Sequence, residues 1–253
     1  ALANREPNRD DLTETSPESR PTSEHMTDLE VGYEHRTARL VAGINGYYMD
    51  YTDQLVLTGE LNDVGYALRT NVPSSYRAGV ELMLNTRITR QLVWRANATF
   101  SRNAVRDYTE YLDDWDNGGQ QAVKVGETEL AFSPAVIAGS ELGFRVWENA
   151  AKGNAELTLV TKYVGRQYLD NTASADRALD AYLVNDVRVN VSFLGLKGLK
   201  RIDLNLTVRN LFSELYENNG WVYSYVYGGR RNDMVNVFAQ APLNVLAGAT
   251  FRF

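Results

Sequence analysis

Apolar residues alternate with polar ones along most of this chain, and that period of two constrains its fold more than any other feature. From Tyr76 to Leu84 and from Leu92 to Phe100, every second residue is apolar. Segments of this kind form β-strands with one apolar and one more polar face. No apolar run approaches the ~20 residues that a membrane-spanning helix requires. The sequence therefore predicts an all-β fold.

The alternation predicts nine strands, and the connections between them are alternately short and long. The predicted strands are residues 29–33, 38–54, 76–85, 92–101, 136–146, 157–163, 183–193, 202–209 and 245–253. The predicted long connections are residues 55–75, 105–132, 168–181 and 214–241, and the first of them is expected to end at Asn71-Val72-Pro73. Short turns on one rim and long loops on the other are typical of outer-membrane barrels. A soluble β-sandwich is the alternative, but it does not explain this segregation of loop lengths.

In a membrane barrel, the apolar face of each strand contacts lipid and the polar face lines the interior. We therefore expect three sets of residues to share the lipid-facing side of the sheet. They are the even-numbered residues of 92–100, the even-numbered residues of 202–208 and the odd-numbered residues of 243–253. The chain ends on Phe253, and a terminal aromatic residue is common in bacterial outer-membrane barrels.

Composition argues against several functional classes. The chain has 26 Lys and Arg against 32 Asp and Glu, a net charge of −6, without the basic stripe of a nucleic-acid-binding protein. It has no cysteine, which excludes a disulfide scaffold and a thiolate zinc site. Its two histidines are His25 and His35. Because His25 lies beside Glu24 and Asp28, we interpret it as a solvated residue rather than as a catalytic base.

No motif for phosphate binding, for a nucleophilic serine or for a metalloprotease is present. The sequence thus predicts no catalytic residue, no metal site and no cofactor, and we expect that the protein is not an enzyme. A surface enzyme of the outer membrane remains an alternative, since barrels can carry catalytic groups near their outer rim.

Several motifs, taken in order, resemble those of the TonB-dependent receptors of the Gram-negative outer membrane. They are residues 5–11 (REPNRDD), 20–24 (RPTSE), 28–33 (DLEVGY), 48–59 (YMDYTDQLVLTG), 70–81 (TNVPSSYRAGVE), 210–212 (NLF) and 246–253 (LAGATFRF). The resemblance implies that residues 1–253 are the C-terminal portion of a transmembrane antiparallel β-barrel. They would supply nine to ten strands of a 22-stranded barrel, with the N-terminal plug and the earlier strands outside this chain.

The resemblance also implies a function, which is energised uptake of a scarce nutrient across the outer membrane. Its expected partners are TonB with the inner-membrane energy-coupling complex, the remaining strands and plug of the same receptor, outer-membrane lipid and a small-molecule cargo. The REPNRD motif and the Tyr-Gly-Gly segment resemble the branch that imports iron complexes, so the expected cargo is a ferric chelate of the siderophore type. A passive porin is the alternative within transport.

Residues 218–238 contain the predicted cargo-binding residues. Trp221, Tyr223, Tyr225 and Tyr227 alternate, so in an extended hairpin they share one face, and Gly228-Gly229 is suited to its turn. Aromatic rings provide rigid contact area, and Arg230 and Arg231 suit a ligand with anionic oxygens. A strand with an aromatic girdle at the membrane rim is the alternative interpretation.

Two further regions of the sequence carry charge at the predicted outer rim. Arg5 and Arg9 lie in the first motif and are additional candidates for cargo binding. Asp113, Asp114 and Asp116 lie in an acidic stretch, for which we favour a solvated loop over a calcium site because no known calcium-loop spacing is present.

Overall fold

A computed structural model describes residues 1–9, 11–12, 20–61 and 65–253. Asp10, within the first sequence motif, lies outside the described residues. The strands are β1 (Leu2–Arg5), β2 (Glu24–Arg36), β3 (Leu40–Leu61), β4 (Ala67–Arg87), β5 (Leu92–Asp114), β6 (Gln120–Glu129), β7 (Val136–Asn149), β8 (Gly153–Val164), β9 (Gln167–Tyr168), β10 (Ala178–Leu179), β11 (Tyr182–Leu196), β12 (Leu199–Arg209), β13 (Glu217–Tyr227), β14 (Arg230–Ala239) and β15 (Asn244–Arg252).

Ten of these strands form one antiparallel sheet, which we call the wall. Its strand order is β1-β2-β3-β4-β5-β7-β8-β11-β12-β15, so neighbours in the sheet follow one another along the chain. The all-β prediction is confirmed, and so are the nine predicted strands, with the four-residue β1 as a tenth. The described part of the chain contains one 3₁₀ turn, Ala175–Arg177, and no helix long and apolar enough to cross a membrane.

The register confirms that the three predicted lipid-facing sets lie on the same side of the wall. Even-numbered residues of β5 pair with even-numbered residues of β7, for example Trp94 with Leu142. The pairing continues through β8 and β11 to β12, where Leu204 lies between Val191 and Ala249. Residues directly opposite each other in a sheet share a face, so the apolar face is continuous from β5 to β15.

The other side of the wall is polar, and Gly79 shows how closely its side chains pack. Gly79 pairs with Tyr47. A Cβ atom at position 79 would lie 2.7 Å from the hydroxyl oxygen of Tyr47 and 2.6 Å from the carbonyl oxygen of Phe100. The glycine in the TNVPSSYRAGVE motif therefore admits a tyrosine ring that a larger residue would displace.

Three of the four predicted long loops are wrong, because most of their residues belong to strands. β3 and β4 extend to Leu61 and from Ala67, β5 extends to Asp114 and pairs with β6, and residues 214–241 contain β13 and β14. The short turns between β2 and β3, β4 and β5, β7 and β8, and β11 and β12 are as predicted.

Pro73 was expected to end a loop but lies inside β4. The ladder between β3 and β4 pairs Thr52 with Ser74 and Gln54 with Val72, and it skips Pro73. The residue opposite, Asp53, has a φ of 54°, and its carbonyl oxygen accepts a hydrogen bond of 2.6 Å from the Asn71 side chain. The strand thus accommodates a residue without an N–H, because no ladder hydrogen bond is required there.

The continued strands and the segment 165–180 together form a body beyond one end of the wall, which we call the cap (residues 53–61, 65–73, 103–135, 165–180 and 214–241). The buried apolar clusters lie almost entirely in this cap. One cluster is Val56, Val72, Val105, Tyr108 and Leu130, and the other is Leu169, Leu179 and Val222, with Phe132 against it. Apolar residues of the wall can be covered by lipid, but those of the cap must be buried by protein.

Candidate ligand-binding surface

The predicted hairpin with its turn at Gly228-Gly229 is present. β13 and β14 pair antiparallel, and Tyr227 lies opposite Arg230 across the turn. Gly228 has a φ of 65° and Gly229 a φ of 71°. Positive φ at both central residues defines a type I′ turn, which glycine adopts without the strain of a side chain. The hairpin lies off the ten-strand path of the wall.

Three tyrosines of β13 contact a tryptophan from another hairpin, and one of them, Tyr225, stacks on it. Trp115, in the turn between β5 and β6, has its ring centroid 4.3 Å from that of Tyr225. The Tyr223 and Tyr227 rings lie 6.3 Å and 6.5 Å from Trp115. We call these four residues the aromatic ladder. Trp115 is 57% exposed and Tyr227 is 60% exposed, so these two rings are open to solvent, whereas Tyr223 and Tyr225 are half-buried.

The alternate residues of β13 point the other way, into the cap. Val222, Ser224 and Val226 are all buried. This period of two fixes the ladder on the outer side of the hairpin. Trp221 follows the same alternation, is half-buried and lies opposite Asn236 on β14.

Behind the ladder, hydrogen bonds join the tip of the β5–β6 hairpin to the tip of the β13–β14 hairpin. The Trp115 N–H donates to the carbonyl oxygen of Val226 at 3.0 Å. The Asp116 carboxylate accepts hydrogen bonds from the N–H groups of Gly228, at 2.9 Å, and Gly229, at 2.8 Å. Because these contacts join the backbones of the two hairpin tips, the rings of the aromatic ladder are attached to a fixed backbone rather than to mobile loops.

The acidic stretch before β6 was expected to be a solvated loop; this is right for the exposed Asp116 and wrong for Asp114, which is buried at the end of β5. The Tyr223 hydroxyl donates to Asp113 at 2.8 Å. The Gln121 side chain donates to Asp114 at 2.7 Å, and this bond, with those from Asn117, lowers the pKa of Asp114 to about 2. In the described residues, no group of three or more potential ligands is placed to hold a metal ion.

The two predicted arginines of the hairpin have different environments. Arg231 donates two hydrogen bonds to Glu110, at 2.6 Å and 2.7 Å, and further bonds to Asp233, at 2.7 Å, and Ser224, at 2.9 Å. The hydrogen-bond donors of the Arg231 guanidinium are therefore used within the cap. Arg230 is exposed beside the turn.

Arg231 belongs to a chain of alternating charges that crosses the cap. Asp233 also accepts a hydrogen bond of 3.0 Å from the buried Arg177, whose Nε lies 2.9 Å from Asp170 Oδ2. The charges alternate in space in the order Glu110, Arg231, Asp233, Arg177 and Asp170. They connect β5, β14 and the segment between β9 and β10. Each buried charge has an opposite charge beside it, which offsets the cost of removing it from water.

A cavity of about 820 Å³ lies beside this charge chain and is lined by Glu60, Tyr108, Glu110, Tyr111, Asp170 and Ser224, among others. Burial, together with the charges of Asp113, Glu110 and Asp170, raises the pKa of Glu60 to about 7. Burial likewise raises the pKa of Tyr108 to about 12. The cavity is therefore rich in carboxylates that already face cations or one another.

The first-motif arginines contact residues outside the ladder. Arg5 is on β1, at the opposite end of the strand order from β15, and its Nε is 3.2 Å from Glu24 Oε1. The carbonyl oxygen of Arg9 accepts a hydrogen bond from the Leu12 N–H at 3.2 Å. The structure brings together Tyr223, Tyr225 and Tyr227, and it adds Trp115, which sequence reasoning missed. No local pattern could have revealed it, because 110 residues separate Trp115 from Tyr225.

Comparison with known families identifies this architecture. The sequence pattern of the family described as TonB dependent receptor-like, beta-barrel, matches residues 4–211. The chain belongs to the TonB-dependent receptor family. The family places the wall of this receptor in the bacterial outer membrane, and the long connections, hence the cap, on the extracellular side. No curated protein matches the sequence.

Solved structures share the fold at low sequence identity. The copper transporter OprC is 16% identical over 100% of this chain and 36% of its own, with a TM-score of 0.64. The ferric preacinetobactin receptor BauA of Acinetobacter baumannii is 12% identical over 94% and 32%, with a TM-score of 0.62. The ferric yersiniabactin uptake receptor FyuA of Yersinia pestis is 18% identical over 92% and 30%, with a TM-score of 0.58. The chain therefore spans about a third of the length of these receptors.

Proposed function

We propose that this chain is the C-terminal part of a transporter that takes up a ferric chelate across the outer membrane with energy supplied through TonB. Family membership supports transport, and two of the structural neighbours are named for ferric complexes. The plug, the remaining strands, TonB and the chelate are its proposed partners. We propose no catalytic role for the chain; His25 lies within β2, paired with Asn4 and Thr52.

The exposed aromatic ladder is the observation that carries this proposal. Receptors of this kind must first capture a dilute cargo at the outer surface, and the ladder lies on the extracellular cap. Stacked aromatic rings offer a rigid surface that loses little conformational entropy on binding. Their phenol groups add hydrogen-bonding capacity at the edges of that surface.

The contacts within the cap define which charge is available to the cargo. Arg231 is saturated by Glu110, Asp233 and Ser224, whereas Arg230 is exposed next to Tyr227. We therefore assign the cargo-facing positive charge to Arg230. Arg5 and Arg9 stay predictions as cargo contacts.

Growth of a strain that lacks the receptor tests the transport step. On media with a single iron source, the deletion strain is expected to lose growth on one ferric chelate and to regain it with the receptor supplied in trans. Inactivation of TonB should abolish the regained growth. Growth that persists without TonB would point to a passive porin, and hydrolysis of the chelate by the purified receptor would point to an enzyme.

Substitution within the ladder tests the site. We expect Tyr225→Ala or Trp115→Ala to weaken chelate binding about tenfold, since an aromatic contact contributes roughly 1 to 1.5 kcal/mol. Tyr111→Ala is the matched control, because Tyr111 is also exposed on the cap but lies outside the ladder. Equal losses of affinity in the ladder variants and the control would contradict the assignment.

A further inference from the structure

Three carboxylates lie beside the rings of the aromatic ladder. Asp113 is directly opposite Tyr225 in the parallel pair that β5 makes with β13, so the two side chains share one face. Asp116 follows Trp115 in the turn between β5 and β6 and is exposed. Asp114 is buried at the end of β5, next to both. The ladder is therefore surrounded by negatively charged side chains.

The charges of these three carboxylates are not cancelled by a cation. In the described part of the chain, the hydrogen bonds that they accept all come from neutral donors. These donors are the Tyr223 hydroxyl, the side-chain amides of Asn117, Gln120 and Gln121, and the N–H groups of Asp116, Asn117, Gly228 and Gly229. Such bonds stabilise a carboxylate and leave its negative charge in place.

The cap as a whole has the same sign of charge. Its described ranges contain 7 Lys and Arg against 15 Asp and Glu, a formal net charge of −8, whereas all 253 residues together give −6. Two of the cap cations, Arg177 and Arg231, are paired inside it with Asp170, Asp233 and Glu110. The outer surface of the cap therefore attracts cations and repels anions.

The exposed rings of the ladder favour a cation for an independent reason. The face of an aromatic ring has a negative electrostatic potential, and this potential is strongest for tryptophan. Trp115 is 57% exposed and Tyr227 is 60% exposed, so both can be approached from solvent. Elsewhere in the chain, a guanidinium already uses a ring in this way, since the Arg106 Cζ lies 5.1 Å from the ring centroid of Tyr76.

We propose that the aromatic ladder binds a cationic group of the cargo, an ammonium or guanidinium, and that the cap selects chelates that are neutral or positively charged overall. A ferric ion held by three catecholates is a trianion, which this surface repels. Three hydroxamates neutralise the ion, and an amine on such a chelate makes it a cation. Arg230 is still available to an iron-coordinating oxygen. This inference rests on the proposed function, because it specifies the cargo of the same surface.

Collisional quenching of tryptophan fluorescence measures the electrostatic potential at Trp115. In the intact receptor in a non-ionic detergent, the signal of Trp115 is the difference between wild type and Trp115→Phe. At low and equal ionic strength, caesium ion should quench this signal at least about threefold more efficiently than iodide, each relative to its quenching of free tryptophan. Equal quenching by the two ions, or a preference for iodide, would overturn the proposal.

Charge variants assign the preference to the ladder carboxylates. Asp113→Asn combined with Asp116→Asn keeps an acceptor oxygen at each position and removes both charges. The preference for caesium should fall below about twofold in this double variant. Glu129→Gln is the matched control, because Glu129 is exposed at the other end of β6 from the turn, and it should keep the full preference. An unchanged preference in the double variant would contradict the assignment.

Choline tests the binding of a cation directly. Its neutral isostere, in which carbon replaces the ammonium nitrogen, has the same shape without the charge. Measured through Trp115 fluorescence, choline should bind at least about threefold more tightly than the isostere. Equal affinities, or no binding of either compound, would overturn the proposal.

Neither measurement depends on uptake or on TonB, so failure of this inference is distinguishable from failure of the proposed function. Growth on a ferric chelate without a preference for caesium would refute the cation site and leave transport intact. Failure of the growth experiments, with the caesium and choline preferences present, would refute transport and leave the cation site intact.

Discussion

Glu60 gives the cap a dependence on pH that a single substitution should reduce. Its pKa is raised from 4.5 to about 7 by burial and by neighbouring carboxylates, so the folded cap favours the protonated form. Stability linked to Glu60 is therefore complete below about pH 4.5 and is lost as the pH rises through 7. We expect residues 53–61 and 65–73 to be more resistant to protease at pH 5 than at pH 8.

Glu60→Gln should reduce this difference by increasing protection at pH 8, and the part that remains is assigned to Asp170, whose pKa is raised to about 6 by burial. Glu129→Gln, at an exposed position of β6, is the matched control and should keep the wild-type profile. Identical pH profiles for wild type and Glu60→Gln would show that Glu60 is not the group responsible.

Substitution of Arg230 and substitution of Arg231, which are adjacent in the hairpin, should differ in their effect on the stability of the cap. Arg231→Ala leaves Glu110 nearly buried without its cation, and we expect it to destabilise the cap by about 2 kcal/mol. Arg230→Ala removes an exposed side chain and should change stability by less than about 0.5 kcal/mol. Thermal unfolding of the two variants, followed by proteolysis of residues 214–241, measures the difference. Similar losses in both would contradict the contacts described for Arg231.

At the scale of elements, Gly79 tests the packing of the wall. Gly79→Ala would place a Cβ atom within 2.7 Å of the Tyr47 hydroxyl and of the Phe100 carbonyl, and we expect a loss of about 1 to 3 kcal/mol. Gly46→Ala is the control on the neighbouring strand, where the nearest atom would lie at an ordinary 3.8 Å. The heat-induced shift in gel mobility should move to lower temperature for Gly79→Ala alone.

The strands of the wall were predictable because lipid and the polar interior impose opposite demands on successive residues. That contrast ends in the cap, where both faces of a strand contact protein. Gln54, Leu55 and Val56 are consecutive and all buried, so no alternation marks them as part of β3. Pro73 suggested a loop because a proline is unusual in a paired strand, and only the interruption at Asp53 permits it there.

The features of the candidate site that depend on neighbouring residues in the sequence were predictable. Alternating aromatics followed by Gly228-Gly229 determine a hairpin with a one-sided aromatic face. The sequence does not show that Glu110 neutralises Arg231 or that Trp115 completes the ladder, because both contacts join hairpins more than 100 residues apart. Nor does it show which of two adjacent arginines is exposed.

At the scale of the whole molecule, the described part of this chain consists of a thin wall and a cap with its own core. The wall has one continuous apolar face from β5 to β15, and lipid is the solvent that such a face requires. The cap, in contrast, has buried clusters and paired charges like those of a soluble domain. We therefore expect the wall to depend on the membrane or a detergent, and the cap to keep its internal contacts in water.

The most direct measurement is the accessibility of single cysteines along β15 of the intact receptor in native outer membranes. This chain has no cysteine of its own, so within it each introduced residue reports from one position. Cysteines at odd-numbered positions from Val245 to Phe251 should react with a lipid-soluble probe, and those at Leu246, Gly248 and Thr250 with a water-soluble one. Equal reactivity at successive positions, or the reverse alternation, would contradict a membrane wall with this face toward lipid.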